Sequence, residues 1–208
     1  MLLVAYPAEP NRLLAAGNIW SGLAAFLTTN GGKNWTKVKV FNDSGSRIYA
    51  AALAPSNVNT LYVSGRNSSG NAVFFKSTNG GAKWSQMAVP SASAYINSLA
   101  VHPTSPNTIY ATTSSAGGTF KSTDGGASWT KLENTTQGGN CIVVNPSNPN
   151  EIFMGSDSGV DYSADGGKTW TDLSAGLAAK SVNWIEIDGP GRMVYAGIYG
   201  GGICRRSF

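Results

Sequence analysis

An all-β fold of repeated four-stranded sheets is predicted by three features of this 208-residue sequence. An eight-residue stretch recurs four times, as TTNGGKNW at 28–35, STNGGAKW at 77–84, STDGGASW at 122–129 and SADGGKTW at 163–170. A second pattern precedes each copy: an apolar run, a Pro/Asn/Ser turn with its proline at 7, 55, 103 or 146, then another apolar run. No stretch sustains a 3.6-residue apolar period without Gly or Pro, so long helices are not expected. The four tryptophans step by 49, 45 and 41 residues, and a unit of about 40–50 residues is the mark of a propeller, solenoid or array.

Taken in order, the first unit predicts strands near 1–6, 11–17, 21–29 and 34–40, and the second near 48–54, 60–66, 71–78 and 83–89. The third gives 96–102, 108–114, 118–123 and 128–133, and the fourth 140–145, 151–156, 159–164 and 169–173. These runs alternate or are continuously apolar, as strands are, and the turn prolines cannot join a central ladder. The fifth unit gives 182–187, 192–198 and 201–207. It carries Asp188-Gly189-Pro190-Gly191 in place of the Pro/Asn turn and no copy of the eight-residue stretch. Four-stranded blades around a channel make a β-propeller. The chain therefore reads as one domain over 1–208, with blades at about 1–40, 48–89, 96–133, 140–173 and 182–208 and the last incomplete. It is either a five-bladed ring closed without strand exchange or a piece of a larger ring, whose open edges would favour self-association.

The eight-residue stretch has the chemistry of a hairpin turn. Its third residue (Asn30, Asn79, Asp124, Asp165) is placed to bond backbone N–H groups two residues on, and its first hydroxyl (Thr28, Ser77, Ser122, Ser163) to close a second side-chain bond. The paired glycines permit the positive φ of a tight connection. The tryptophans (Trp35, Trp84, Trp129, Trp170) are wedges between neighbouring units, and truncating one is expected to cost ~3–5 kcal/mol. Repetition favours a folding role over catalysis, and Asn in two copies preserves turn-pinning where acid chemistry would fail.

These hairpins resemble the Asp-box, or BNR, pattern S-x-D-x-G-x-x-W, with Asn at the acidic position twice and Thr first in one copy. The pattern recurs in sialidases, xyloglucanases, sortilin-type receptors and photosystem II assembly-factor propellers. The STDGGxxW spelling looks most like the xyloglucanase and assembly-factor branch. The resemblance covers essentially the whole chain and implies the propeller fold. It leaves activity open, because the families sharing it do different things. It also implies an extracellular or periplasmic setting, although the apolar start MLLVAYPAEP lacks a basic n-region and reads as a strand.

Composition narrows the classes of function. The net charge of +4 divides unevenly: residues 1–122 carry nine Lys/Arg against Glu9 and Asp43, and residues 123–208 carry six against nine acids. That is a solvated surface with a basic half, not the aromatic-interleaved stripe of a nucleic-acid binder. No apolar run reaches membrane-spanning length. One histidine, His102, and two separated cysteines, Cys141 and Cys204, make neither an ordinary zinc site nor a triad. No phosphate loop is present. No metal and no cofactor is therefore expected.

Ligands of such folds meet the face of the strand-two-to-three loops and blade connections. That face is expected to gather Trp20, Asp43, Ser44, Arg47, Arg66, Asn67, Tyr95, Gln137, Asp157, Asp161, Lys180, Trp184 and Tyr199. Aligning the units on the turn prolines also brings Tyr49, Asn97, Asn140 and Asn183 to one level. They read either as a polar binding ring at the channel mouth or as caps on strand ends. The candidate ligand-binding set is Arg47, Tyr49, Tyr95, Asn97, Asn140, Asn183 and Trp184, with no catalytic residue assigned. The leading reading is a non-catalytic module binding a protein or glycan. The alternative is a glycoside hydrolase, or a fragment of one, using a carboxylate pair among Asp43, Asp157, Asp161 and Glu186. A sialidase-like Arg-Ile-Pro motif is missing, since Arg47-Ile48 is followed by Tyr49.

Overall fold

The alternation of apolar and polar residues produces nineteen strands in a computed structural model that describes residues 2–6, 9–91, 94–114, 117–133, 138–177, 179–188, 190 and 192–208. Pro7, Gln137, Gly189 and Gly191 lie outside the described residues. Blade one contains β1 (Leu2–Ala5), β2 (Leu13–Ile19), β3 (Gly22–Thr28) and β4 (Thr36–Phe41). Blade two contains β5 (Arg47–Leu53), β6 (Leu61–Arg66), β7 (Ala72–Ser77) and β8 (Ser85–Met87). Blade three contains β9 (Ile96–Val101), β10 (Ile109–Thr113), β11 (Thr119–Ser122) and β12 (Thr130–Lys131). Blade four contains β13 (Cys141–Val144), β14 (Ile152–Ser156), β15 (Gly159–Ser163) and β16 (Thr171–Asp172). Blade five contains β17 (Val182–Asp188), β18 (Met193–Ile198) and β19 (Gly202–Ser207).

Each sheet is an antiparallel meander in chain order, and no helix occurs among the described residues. These are the blades of an incomplete β-propeller. The outer strands β8, β12 and β16 are shorter than the sequence implies. Their side chains are mostly exposed, and an outermost strand has a partner on one side only. First strands of successive blades pack against one another, from β1 on β5 through to β13 on β17, which sets them innermost.

The hairpins hold their shape by a repeated set of bonds. Ser77 Oγ accepts from Gly81 N–H at 2.8 Å and donates to Asn79 Oδ1 at 3.0 Å, while Asn79 Oδ1 accepts from Lys83 N–H at 2.8 Å. The third residue thus reaches four residues on, not two as the sequence implied, because the two glycines bulge the chain between them at φ 70° and 91°. The Asp copies add a second oxygen: Asp124 Oδ2 accepts from Ser128 Oγ, and Asp165 Oδ2 from Thr169 Oγ1. The Asn copies have Asn34 and Lys83 at that place, so the choice of Asp or Asn follows the presence of a hydroxyl partner.

A further bond ties this hairpin to the Pro/Asn turn of the same blade. Gly31, Gly80, Gly125 and Gly166 donate their N–H to the carbonyls of Asn11, Asn59, Asn107 and Asn150 at 2.8–2.9 Å. Both turns therefore lie on one face, and in blades two to four the glycines approach the preceding blade. A Cβ built on Gly126 would stand 2.4 Å from the Phe74 ring.

Four apolar clusters fill the seams between blades. Leu14 and Leu23 meet Leu61 and Val63 between blades one and two, and Tyr62 and Phe74 meet Ile96 and Ile109 between two and three. Tyr110 and Leu132 meet Ile142 and Ile152 between three and four, and Phe153 and Val160 meet Ile185 and Val194 between four and five. None of the four joins blade five to blade one among the described residues. Trp84, Trp129 and Trp170 pack onto the seam with the preceding blade. Trp129 lies edge-on to Phe74 at 5.4 Å and its indole N–H donates to Ala88 O at 2.9 Å. These three are half-buried, and Trp35 is 41% exposed, so the core-aromatic cost expected from sequence is too large. Trp129→Ala should lower the unfolding free energy by about 2 kcal/mol and Trp35→Ala by less than about 1 kcal/mol, as measured by urea denaturation.

Candidate functional site

The sequence level shared by Tyr49, Asn97, Asn140 and Asn183 has a backbone cause. In blade two the register passes from Ile48 to Ala50, in blade three from Ile96 to Ser98, and in blade five from Val182 to Trp184. Tyr49, Asn97 and Asn183 are each the extra residue of a β-bulge, and Asn140 immediately precedes β13. A bulge re-aims its side chain out of the ladder. Here the side chains reach towards neighbouring blades.

At the corner of blades two and three the Tyr49 and Tyr95 rings lie 5.3 Å apart, tilted by 38°. The Arg66 guanidinium stands 5.9 Å from the Tyr95 ring centre. Exposed Arg47 is the cross-strand neighbour of Arg66. Beside them, Asn18, Trp20, Ser44 and Arg47 border an open concavity of about 480 Å³. Trp20 is 98% exposed at the β2–β3 turn, and its carbonyl accepts from Ser44 Oγ at 2.7 Å. Asp43 accepts from Ser68 N–H at 2.8 Å, and these Ser68 bonds hold its carboxyl below the usual range.

The other half of the level is a chain of polar groups. Asn97 Nδ2 donates to Gly139 O at 3.4 Å. Asn140 Nδ2 lies within bonding distance of Asp157 Oδ1 (2.9 Å), Val182 O (3.2 Å) and Asn183 Oδ1 (3.2 Å). Ser181 Oγ completes the group by donating to Asp157 Oδ1 at 2.9 Å. The Asn140 amide and the Ser181 hydroxyl lower the Asp157 pKa. Trp184, 47% exposed, follows Asn183, and Tyr199 is 77% exposed nearby in blade five. Ser181 carried no signal in the sequence, because its role depends on a carboxylate 24 residues away.

Several residues fall elsewhere. Asp161 is buried within β15, opposite Asp172, and not on the loop face where the sequence placed it. Arg192 belongs to the turn side: its guanidinium pairs with buried Glu151 at 3.2 Å and donates to Phe208 O at 2.8 Å. His102 caps a turn, with its Nδ1 facing Thr104 N–H at 3.3 Å. Burial and the nearby Lys121 lower its pKa. Cys141 and Cys204 are free thiols. Among the described residues no His/Cys/Asp/Glu cluster suited to a metal occurs, and no helix is long and apolar enough to cross a membrane.

Comparison with known proteins agrees with this architecture. Residues 24–158 match the family Sortilin-Vps10 (sortilin, neurotensin receptor 3), and residues 161–172 match the BNR/Asp-box repeat. No curated protein matches the chain. Among solved structures, an ancestral GH74 enzyme is 25% identical with a TM-score of 0.73 over 94% of this chain, which spans 27% of that enzyme's length. YCF48 from Cyanidioschyzon merolae is 18% identical with a TM-score of 0.63, over 94% of this chain and 66% of its own. YCF48 bound to a D1 peptide is 13% identical with a TM-score of 0.50, over 100% and 96%. The last two share the fold.

The carboxylates make pH a direct probe. Hydrogen bonds from Ser128 and Thr169 hold Asp124 and Asp165 far below the ordinary range. A depressed native pKa stabilises the fold above the unfolded value of about 3.9. That contribution disappears as pH falls through the unfolded value towards the native one. In calorimetric scans from pH 7 to pH 2, Tm should hold down to about pH 5 and then drop. An Asp124→Asn, Asp165→Asn double variant should lose less over the same interval, since an Asn copy pins its turn without titrating.

Proposed function

The chain belongs to the Sortilin-Vps10 family, and we propose that it is a non-catalytic β-propeller module, one domain over 1–208, that holds an extended protein segment at its bulge-bearing face. The observation that carries this reading is the corner of Tyr49, Tyr95 and Arg66 with Arg47 beside it. Flat aromatic faces contribute contact area at little entropic cost. Guanidinium groups bind carboxylates in two-pronged fashion. The amides of Asn97, Asn140 and Asn183 are donors and acceptors suited to a peptide backbone. The fold already serves peptide binding elsewhere, since YCF48 has been solved with a D1 peptide bound.

A glycan is the second ligand class, favoured by the exposed rings of Trp20, Trp184 and Tyr199, because sugars stack on such surfaces. Hydrolysis is disfavoured on chemical grounds. A glycosidase needs one carboxylic acid that keeps its proton near neutrality. Of the four carboxylates considered for such a pair, Asp43 and Asp157 are held below the ordinary range by their hydrogen bonds.

Selection of random twelve-residue peptides on the immobilised chain should enrich carboxylate-bearing sequences. Arg66→Ala and Tyr95→Ala should each weaken the selected peptides by about tenfold in titration calorimetry. Release of reducing sugar from xyloglucan or a sialylated oligosaccharide, abolished by Asp157→Asn, would replace this reading with the hydrolase.

A further inference from the structure

Two of the four hairpins carry the dipeptide Asn-Gly, as Asn30-Gly31 and Asn79-Gly80, where the other two carry Asp124-Gly125 and Asp165-Gly166. No other asparagine in the sequence precedes a glycine. Asn-Gly is chemically unstable. The glycine nitrogen has no side chain beside it and lies on the most pliable backbone, so it can attack the asparagine side-chain carbon. In the hairpin both reacting groups are already engaged. The Gly31 and Gly80 N–H groups donate to the carbonyls of Asn11 and Asn59 at 2.8 and 2.9 Å, which holds the proton that the nitrogen must shed. The amide oxygen of Asn30 accepts from Thr28 Oγ1 at 2.9 Å and from Asn34 N–H at 3.0 Å. That of Asn79 accepts from Ser77 Oγ and Lys83 N–H. Donors on this oxygen would assist attack by a free nitrogen, but here the nitrogen is tied to the Pro/Asn turn and the side chain to both flanks of the hairpin. The restraint lasts only while the hairpin is closed. The Asp copies need it less. Bonds from Ser128 and Thr169 keep Asp124 and Asp165 ionised, and a carboxylate anion resists nucleophilic attack.

We propose that Asn30-Gly31 and Asn79-Gly80 are self-modification sites that deamidate when their hairpin opens, and that the β-linked product keeps the hairpin from closing again. The glycine nitrogen loses its proton and bonds to the asparagine Cγ, the Cγ–Nδ2 bond breaks, and the side-chain nitrogen leaves with that proton as ammonia. Water is the second reactant. It opens the five-membered imide at either carbonyl, giving aspartate or isoaspartate. Aspartate suits the turn, since Asp124 and Asp165 Oδ1 accept from Ser128 and Thr169 N–H at 2.9 Å, four residues on. Isoaspartate puts an extra methylene into the main chain before Gly80. Gly80 N–H and Gly81 N–H can then no longer reach Asn59 O and Ser77 Oγ together. At blade two this frees Trp84, whose indole N–H donates to Gly81 O at 2.9 Å and which packs on the seam with blade one. Local opening, an ordinary event in native proteins, is thereby converted into an irreversible break at that seam. The modification belongs to the turn side of the molecule and stands whether or not the bulge-bearing face binds a peptide.

The test is incubation of the full chain at mildly alkaline pH, in buffer and in urea, with aspartate and isoaspartate at each asparagine resolved by peptide mapping. Both Asn-Gly sites should convert at least about tenfold faster in urea than in buffer, and ahead of Asn42 and Asn67 in the same digest. In buffer, Ser77→Ala should raise conversion at Asn79 relative to Asn30 by about fivefold, and Thr28→Ala should move the ratio the other way. The ratio cancels any general loss of stability, which speeds both sites. The chain carrying isoaspartate at position 79, isolated by ion exchange, should not recover the native tryptophan fluorescence after refolding, whereas Asn79→Asp should recover it. Equal rates in buffer and urea would overturn the proposal. So would a ratio that neither hydroxyl variant moves, or full refolding of the isoaspartate chain.

Discussion

The N–H of the first hairpin glycine, bonded to the asparagine carbonyl of the Pro/Asn turn, couples the two motifs of every complete repeat. That bond forms only because the glycine pair takes positive φ, which any other residue would adopt at a cost. Once the turns are joined, the tryptophan at the start of the fourth strand is delivered to the preceding seam. Blade four also accepts this way from blade three, where Tyr110 Oη donates to Gly166 O at 3.3 Å. The hairpin that shapes a blade thus also packs it on its neighbour.

Blade five carries Asp188-Gly189-Pro190-Gly191 in place of the Pro/Asn turn, and is attached by other means. Arg192, with φ at 48°, bridges buried Glu151 and the carbonyl of Phe208. Phe208 itself packs edge-on to Phe153 at 4.8 Å. An ion pair with one exposed partner contributes modestly, so the apolar contacts carry most of this attachment.

On the opposite face the seams are linked by polar groups and rings. Asn18 Oδ1 accepts from Ile48 N–H at 2.9 Å, the Tyr49 ring meets Tyr95, Asn97 reaches Gly139 O and Asn140 reaches Val182 O. Strand-end capping and a ligand-facing polar rim, the two readings open from sequence, are therefore compatible. One amide nitrogen donates to a neighbouring blade while the rest of the group stays accessible. The uneven charge of the chain also has a spatial expression here. Arg47 and Arg66 lie at the blade two–three corner, and ionised Asp157 lies at the blade four–five corner.

The fold was legible because its determinants are local. Ser77, Asn79, Gly80, Gly81 and Trp84 act on one another within eight residues, so their spelling is enough to predict a hairpin, and four spellings are enough to predict blades. The level of Tyr49, Asn97 and Asn140 was legible for the same reason, each standing six residues before its turn proline, and Asn183 follows Asn140 by the same 43-residue step that separates Asn140 from Asn97. What the tertiary structure alone decided are the relations between blades. It decided that Ser181 and Asn140 share Asp157, that Asp161 is buried in its sheet, that Arg192 serves Glu151, and that Val160 faces a cavity. A seam forms from side chains some 40 residues apart, and hydrogen bonding and apolar packing are short-ranged. Its geometry exists only once both blades are in place.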